Sequence, residues 1–166
     1  MKKMPFFCVA AVFILIFCGC GGEYKISPVT RNFSCNFKVT ADSREIYKGT
    51  ANFSENGEPT FKFGFPQSVE GLLMKAEENG FSFSYGGIES GDGEGAASVS
   101  CLGAVRDILL DVSQNNVPVS GEEMSVSGSC SEGKYQLQFR VDGFPQKFVF
   151  KDKNISVEFS DFQYNF

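Results

Sequence analysis

Apolar and polar side chains alternate along most of this chain, and that alternation restricts the folds that it can adopt. From residue 33 to residue 39 every second side chain is apolar, and the same period recurs over 47–53, 61–65, 81–85, 124–128, 137–141 and 155–159. A period of two is typical of a β-strand with one buried face and one wet face. Turn-forming pairs such as Asn56-Gly57 separate the segments. The sequence therefore predicts about nine antiparallel strands joined by hairpins.

One segment follows a helical period instead. After the glycine-rich stretch 86–95, of which we interpret 89–95 as a solvated loop, apolar residues recur at helical spacing: Cys101, Leu102, Val105, Ile108, Leu109 and Val112. Arg106, Asp107 and Asp111 fall on the other side, so the pattern predicts one amphipathic helix over about 97–113. The helix must bury its apolar stripe against the sheet. The expected fold is mainly β (α+β), a curved antiparallel sheet or half-barrel with the helix packed in its concave face.

The first residues differ in character from the rest of the chain. Lys2 and Lys3 are followed by an uncharged apolar run over 6–17, and Gly19 then precedes Cys20. A positive flank, a short apolar segment and a small-residue cleavage site indicate an export signal. The run ends too early for a bilayer crossing, which needs roughly 20 apolar residues.

With cysteine at the cut, this segment resembles a bacterial lipoprotein signal, whose peptidase cleaves before a cysteine that carries diacylglycerol. The resemblance implies a signal peptide over 1–19, lipidation of Cys20, a flexible tether over 20–31 and a single domain over 32–166. It also implies attachment to the extracytoplasmic face of the cell membrane through the lipid. The alternative is an ordinary secreted protein, cut near Gly19 or Gly22, in which Cys20 is unmodified.

Charge and composition argue against several functions. Without Lys2 and Lys3, 13 basic residues remain against 20 acidic ones, so we expect no nucleic-acid partner. The chain has no histidine, which excludes Ser-His-Asp triads, Cys-His pairs and histidine metal sites. We therefore expect no catalytic residue, no metal and no cofactor, and a protein that is not an enzyme.

Three cysteines follow the tether: Cys35, Cys101 and Cys130. Each falls on the apolar phase of its segment, which favours buried thiols that pack as small apolar side chains. An odd number prevents complete pairing. If one disulfide forms, Cys101–Cys130 is the pair expected, because helix and sheet face each other there.

The lipoprotein signal, followed by a phenylalanine-rich, one-sided sheet around one helix, resembles the bacterial lipoprotein-carrier superfamily (LolA- and LolB-like). The resemblance covers about residues 32–166 and rests on pattern rather than on a diagnostic motif. It implies an open half-barrel whose concave apolar face holds acyl chains; similar small lipoproteins of unknown role occur in Firmicutes. This chain is shorter than those carriers and contains no tryptophan.

The phenylalanines themselves suggest a ligand. Most of the 19 lie on the in-facing strand phase, and a sheet held open by one helix leaves part of that face as a groove. The residues expected to line it are Phe61, Phe63, Phe65, Phe81, Phe83 and Phe139. The function expected is an anchored, non-catalytic lipoprotein that binds a lipid or other apolar molecule there. The alternative is a cell-envelope structural or protein-interaction lipoprotein, with an envelope protein as partner, a fully packed core and no ligand.

Overall fold

The computed structural model describes residues 32–54, 58–77, 80–90, 97–114 and 124–164. Cys20 and the tether over 20–31 therefore lie outside the described residues. The strands, in chain order, are β1 (Phe33–Ala41), β2 (Arg44–Phe53), β3 (Pro59–Phe65), β4 (Leu73–Glu77), β5 (Gly80–Tyr85), β6 (Ile88–Ser90), β7 (Ser125–Cys130), β8 (Gly133–Phe139), β9 (Pro145–Phe150) and β10 (Ile155–Tyr164). The helix α1 spans Ala97–Gln114, and two short 3-10 helices cover Gln67–Val69 and Lys151–Lys153.

All the strands belong to one open antiparallel sheet. Their order is β6-β5-β4-β3-β2-β1-β10-β9-β8-β7, so two runs of hairpins meet where the first strand pairs with the last. Phe33 lies opposite Tyr164, and Ala41 lies opposite Ile155. In the part of the chain that the structure describes, β6 and β7 form the two edges. The predicted fold class, an antiparallel half-barrel with one helix, is confirmed.

The sheet has ten strands rather than about nine. The additional strand is β6, which lies within the glycine-rich stretch and overlaps the start of the loop expected over 89–95. Gly86 and Gly87 have φ angles of 59° and 85°, which reverse the chain in two residues. Glycine adopts such angles without steric cost. A tight turn therefore adds a short edge strand.

Helix α1 packs on the apolar face of the sheet. Its predicted stripe is buried as expected, and the helix contacts β4, β5 and β10. The stripe joins a phenylalanine-rich core in which Phe37 makes edge-to-face contacts with Phe61 and Phe63, at centroid distances of 5.3 and 5.5 Å. Such pairs stabilise a core by about 0.5–1.5 kcal/mol beyond their buried area. The described helices and strands and their core lie between residues 33 and 164.

A β-bulge interrupts the pairing of β2 with β3. Gly49 lies opposite Phe63, whereas the neighbouring Lys48 lies opposite Phe65, so that Gly64 is the extra residue. The two strands approach closely here: a Cβ atom on Gly49 would lie 1.9 Å from the carbonyl oxygen of Lys62. A bulge changes which face the following side chains occupy. The side chain of Phe65 is displaced in this way.

Candidate functional site

The structure separates the six phenylalanines expected to line a groove into three groups. Phe61, Phe63 and Phe139 are buried in the core. Phe61 and Phe63 pack edge-to-face against Phe37 of the central strand, and Phe139 lies in the same cluster. A ligand can contact these three rings only if helix α1 or neighbouring side chains move.

Phe65 lies apart from the other five rings. It is 38% exposed, and the ammonium group of Lys48 lies 5.1 Å from its ring centroid. Lys48 lies on the opposite face of β2 from its neighbours Tyr47 and Gly49. Tyr47 packs on Phe63 at the helix-covered face. Because the bulge pairs Phe65 with Lys48, its ring belongs with the polar side of the sheet. The strict alternation over 61–65 that placed it in the groove stops at Gly64.

Phe81 and Phe83 border the helix and are half-buried. Their rings contact each other at 5.3 Å, edge to face, and both pack against the core. Farther along the same phase of β5, Tyr85 is 59% exposed, and its cross-strand partner Ile88 on β6 is 75% exposed. These four residues form a continuous row on the helix-covered face, which we call the apolar strip. Burial decreases along it from the helix to the edge of the sheet.

One side of helix α1 lies against the inner end of this strip. A Cβ atom on Gly103 would lie 3.3 Å from Cδ1 of Phe81 and 3.8 Å from Cε of Met74. Arg106 follows three residues later, and residues at that spacing share one side of a helix. We call the side formed by Gly103 and Arg106 the strip-side flank of α1.

The side chain of Arg106 corrects one sequence-based expectation. The pattern placed it on the polar side of the helix together with Asp107 and Asp111, which are exposed. The Arg106 side chain is only 11% exposed, and its Nη1 donates a hydrogen bond of 2.9 Å to Asp107 Oδ1. On a helical wheel Arg106 lies about 100° from Val105 at the centre of the buried stripe, which is the border of the two faces. That border position is the signal that could have identified it.

The outer face of the sheet, opposite helix α1, carries charged and polar side chains. Glu158 of β10 accepts hydrogen bonds from Lys147 of β9 and Lys38 of β1, with Nζ–Oε distances of 2.8 and 2.6 Å. These two bonds hold the pKa of Glu158 below its ordinary value of 4.5. An open depression of about 530 Å³ beside this cluster is lined mainly by polar side chains, including Thr40 and Ser156.

The three described cysteines are free thiols, so the Cys101–Cys130 disulfide is not formed in the structure. Burial raises the pKa of Cys35 and of Cys101 to about 12. Burial also raises the pKa of the half-buried Cys130, whose Sγ contacts the carbonyl oxygen of Gly133 at 3.6 Å. Cys101 and Cys130 influence each other electrostatically and share the Glu132–Lys153 ion pair as a neighbour. Helix and sheet meet here as expected, and the pairing itself stays a prediction.

No group of three or more histidine, cysteine, aspartate or glutamate side chains in the described ranges is arranged to hold a metal ion. Within the same ranges, no helix has both the length and the apolar character that a membrane crossing requires.

Comparisons with known proteins return little. No protein-family model matches the chain, and no curated protein matches it at a significant level. Among solved structures, a LolA superfamily protein from Nitrosomonas europaea is similar, with a TM-score of 0.40 and 10% identity over 86% of this chain and 91% of that chain. The fold described above rests on the sheet and helix of this chain alone.

Proposed function

We propose that this protein is a membrane-anchored extracytoplasmic lipoprotein without catalytic activity, and that it binds a lipid-like or other apolar ligand at the apolar strip beside helix α1. The expected site is thereby narrower than the groove that the sequence suggested. The proposed site keeps Phe81 and Phe83 and adds Tyr85 and Ile88. The buried phenylalanines of the packed core are not part of it.

One observation supports binding at this place. Tyr85 and Ile88 are large apolar side chains, adjacent across two strands, on the face that elsewhere is covered by α1. Burial of an exposed apolar side chain contributes about 1.5–3 kcal/mol. Contiguous exposed apolar surface marks binding sites more often than isolated apolar residues do. The half-buried Phe81 and Phe83 extend the same surface towards the core, so an acyl chain or a flat apolar molecule has a continuous apolar path.

The anchor is proposed from the N-terminal sequence. Cys20, which follows Gly19, is the residue expected to carry the lipid. A flexible tether of about 11 residues has a root-mean-square length of roughly 15–20 Å. The domain would then stay close to the bilayer that contains apolar ligands.

The proposal is tested with the chain from residue 21 onward, which contains every described element, and the neutral fluorescent probe N-phenyl-1-naphthylamine. We expect saturable binding. Ile88→Glu should weaken it by roughly tenfold or more, because bound probe would then lie against a charged side chain. Val141→Glu is the matched control, since Val141 is also exposed and apolar but lies in the turn after β8, outside the strip. Equal affinities for the two variants would contradict a site on the strip.

The alternative function retains support from a different observation. The complete burial of Phe61, Phe63 and Phe139 is what a packed core without a ligand requires. The three residues of β6 are also exposed at an edge of the sheet, where a partner strand can add. If a folded domain with a cooperative unfolding transition binds no probe at all, the envelope structural or protein-interaction role replaces the carrier role.

A further inference from the structure

Arg106 occupies an unusual position for a cation. It is the one basic residue of helix α1, and its side chain is 11% exposed. It lies on the strip-side flank, one helical turn from the point where Gly103 meets Phe81. Arginine side chains are seldom buried unless their donors are paired.

The guanidinium group of Arg106 is incompletely paired. A guanidinium carries five N–H donors, and Nη1 donates one hydrogen bond to Asp107. The Nε atom is buried and has no hydrogen-bond partner in the described part of the chain. A buried, unpaired donor on a charged group is costly, and a partner that reaches it recovers that cost. Carboxylate and phosphate oxygens are the acceptors that arginine binds most strongly.

The apolar strip cannot supply such an acceptor. Strand β5 contains no charged residue. The acidic residue of β6, Glu89, pairs with Ser84 and so lies on the phase opposite to Tyr85 and Ile88. By helical spacing, Arg106 and Asp107, three and four residues after Gly103, share the flank of α1 that meets this uncharged surface.

We infer that the ligand is an anionic single-chain amphiphile, with its chain on the apolar strip and its carboxylate or phosphate head bound by Arg106. This inference rests on the proposed apolar site and specifies the ligand's head group. Asp107 accepts from Nη1, so Nε is the unpaired donor; because Nε is buried, the head group reaches it only when the side chains that cover it move. A neutral amphiphile of the same chain length would gain the apolar contacts but would lose the charge-assisted hydrogen bond.

The test is a competition experiment with three ten-carbon ligands. The chain from residue 21 onward is loaded with N-phenyl-1-naphthylamine at pH 7.5. Decanoate and decyl phosphate are titrated below their micellar concentrations, and decanol below its solubility limit. We expect at least one anion to displace the probe at roughly tenfold lower concentration than decanol, as one charge-assisted hydrogen bond predicts. The stronger of the two anions identifies the head group as a fatty-acid carboxylate or a phosphate monoester.

Three variants assign the preference to Arg106. Arg106→Gln should bind decanol within about twofold of the unmodified chain and bind the anions no better than decanol, because it keeps bulk but loses charge. Arg106→Lys should show a reduced preference, because lysine keeps the charge without the planar fork. Arg44→Gln, an exposed arginine at the start of β2, removes the same charge elsewhere and should keep the full preference.

The outcomes separate the two proposals. If the probe binds but decanol and both anions compete equally, the head-group inference is overturned and the apolar site stands. If the probe does not bind, the proposed function fails together with the inference. If Arg106→Gln loses decanol as well, Arg106→Lys decides: equal affinity for anions and decanol in that variant overturns the role of Arg106, and a reduced preference supports it.

Discussion

At the scale of single residues, Gly49 shows how backbone packing selects an amino acid. It lies at the bulge where β2 and β3 approach so closely that a Cβ atom would be 1.9 Å from the carbonyl oxygen of Lys62. Gly64 lies on the other strand of the same bulge, where a Cβ atom would be 3.8 Å from the carbonyl oxygen of Lys48. Only the first position excludes a side chain by contact with backbone, which cannot rotate away.

We therefore predict that Gly49→Ala destabilises the domain and that Gly64→Ala does not. Overpacking against backbone costs about 1–3 kcal/mol in free energy of unfolding, whereas an ordinary van der Waals contact costs little. Urea unfolding monitored by circular dichroism measures both variants. An unfolding midpoint for Gly49→Ala equal to that of the unmodified chain would contradict the close approach of β2 and β3.

The same bulge explains which site residues sequence reasoning could find. Phe81 and Phe83 keep the two-residue period of an uninterrupted strand, and the structure places both at the border of the helix. Phe65 follows the same apparent two-residue period, but the extra residue Gly64 shifts the register so that Phe65 pairs with Lys48. Ile88 falls in the glycine-rich stretch, where the pattern predicts no strand because the two-residue glycine turn before it leaves only three residues for β6. The period of a single strand does not show where a residue is inserted or which strand lies alongside. The positions of Phe65 and Ile88 therefore follow only from the paired sheet.

At the scale of elements, the outer face links three strands through one carboxylate. Glu158 of β10 lies directly opposite Lys38 of β1 and Lys147 of β9, so register alone brings both cations to it. Cross-strand pairs of opposite charge are a general source of sheet stability. All three side chains are partly exposed, which limits their contribution to about 1 kcal/mol or less.

This cluster makes a pH-dependent prediction. Because the pKa of Glu158 is lowered in the folded state, its contribution is present above the ordinary value of 4.5 and is lost as the pH falls below that value. Glu158→Gln should therefore lower the free energy of unfolding at pH 7 by up to about 1 kcal/mol and have a smaller effect at pH 3. Urea unfolding at both pH values measures the difference.

Glu89→Gln, on the exposed edge strand β6, is the matched control for the loss of one negative charge. A destabilisation by Glu158→Gln that is as large at pH 3 as at pH 7 would show that Glu158 acts through packing rather than through its charge.

At the scale of the whole molecule, the first strand lies at the centre of the sheet. The chain enters the sheet at Phe33, beside Tyr164 near the end of the last strand, at the centre of the sheet rather than at an edge. The apolar strip lies on β5 and β6, four and five strands away from β1, at the β6 edge of the sheet. An anchor attached before Phe33 would therefore leave the strip and both edges of the sheet free.

The proposed anchor makes a prediction for the full-length chain in a bacterial host. Cys20→Ser should take up no radiolabelled palmitate, because the acylated thiol is removed, and Cys18→Ser should be labelled like the unmodified chain. Acyl chains contribute about 0.8 kcal/mol per buried methylene, and the excess of acidic over basic residues, 20 against 13 after Lys3, opposes binding to anionic headgroups. Label on Cys20→Ser, or none on the unmodified chain, would show that Cys20 is not the lipidated residue.

The sequence by itself determined most of the strands, the segment that forms the helix and the side of that helix that is buried. Those properties follow from periods of two and 3.6 residues, which are local and are set by the backbone geometry of each element. Tertiary structure decided that β1 pairs with β10, that Phe65 leaves the core phase, and that the Arg106 side chain is buried. Each of these depends on contacts between residues far apart in the chain, where one inserted residue or one neighbouring strand changes the surroundings of a side chain without changing the pattern around it.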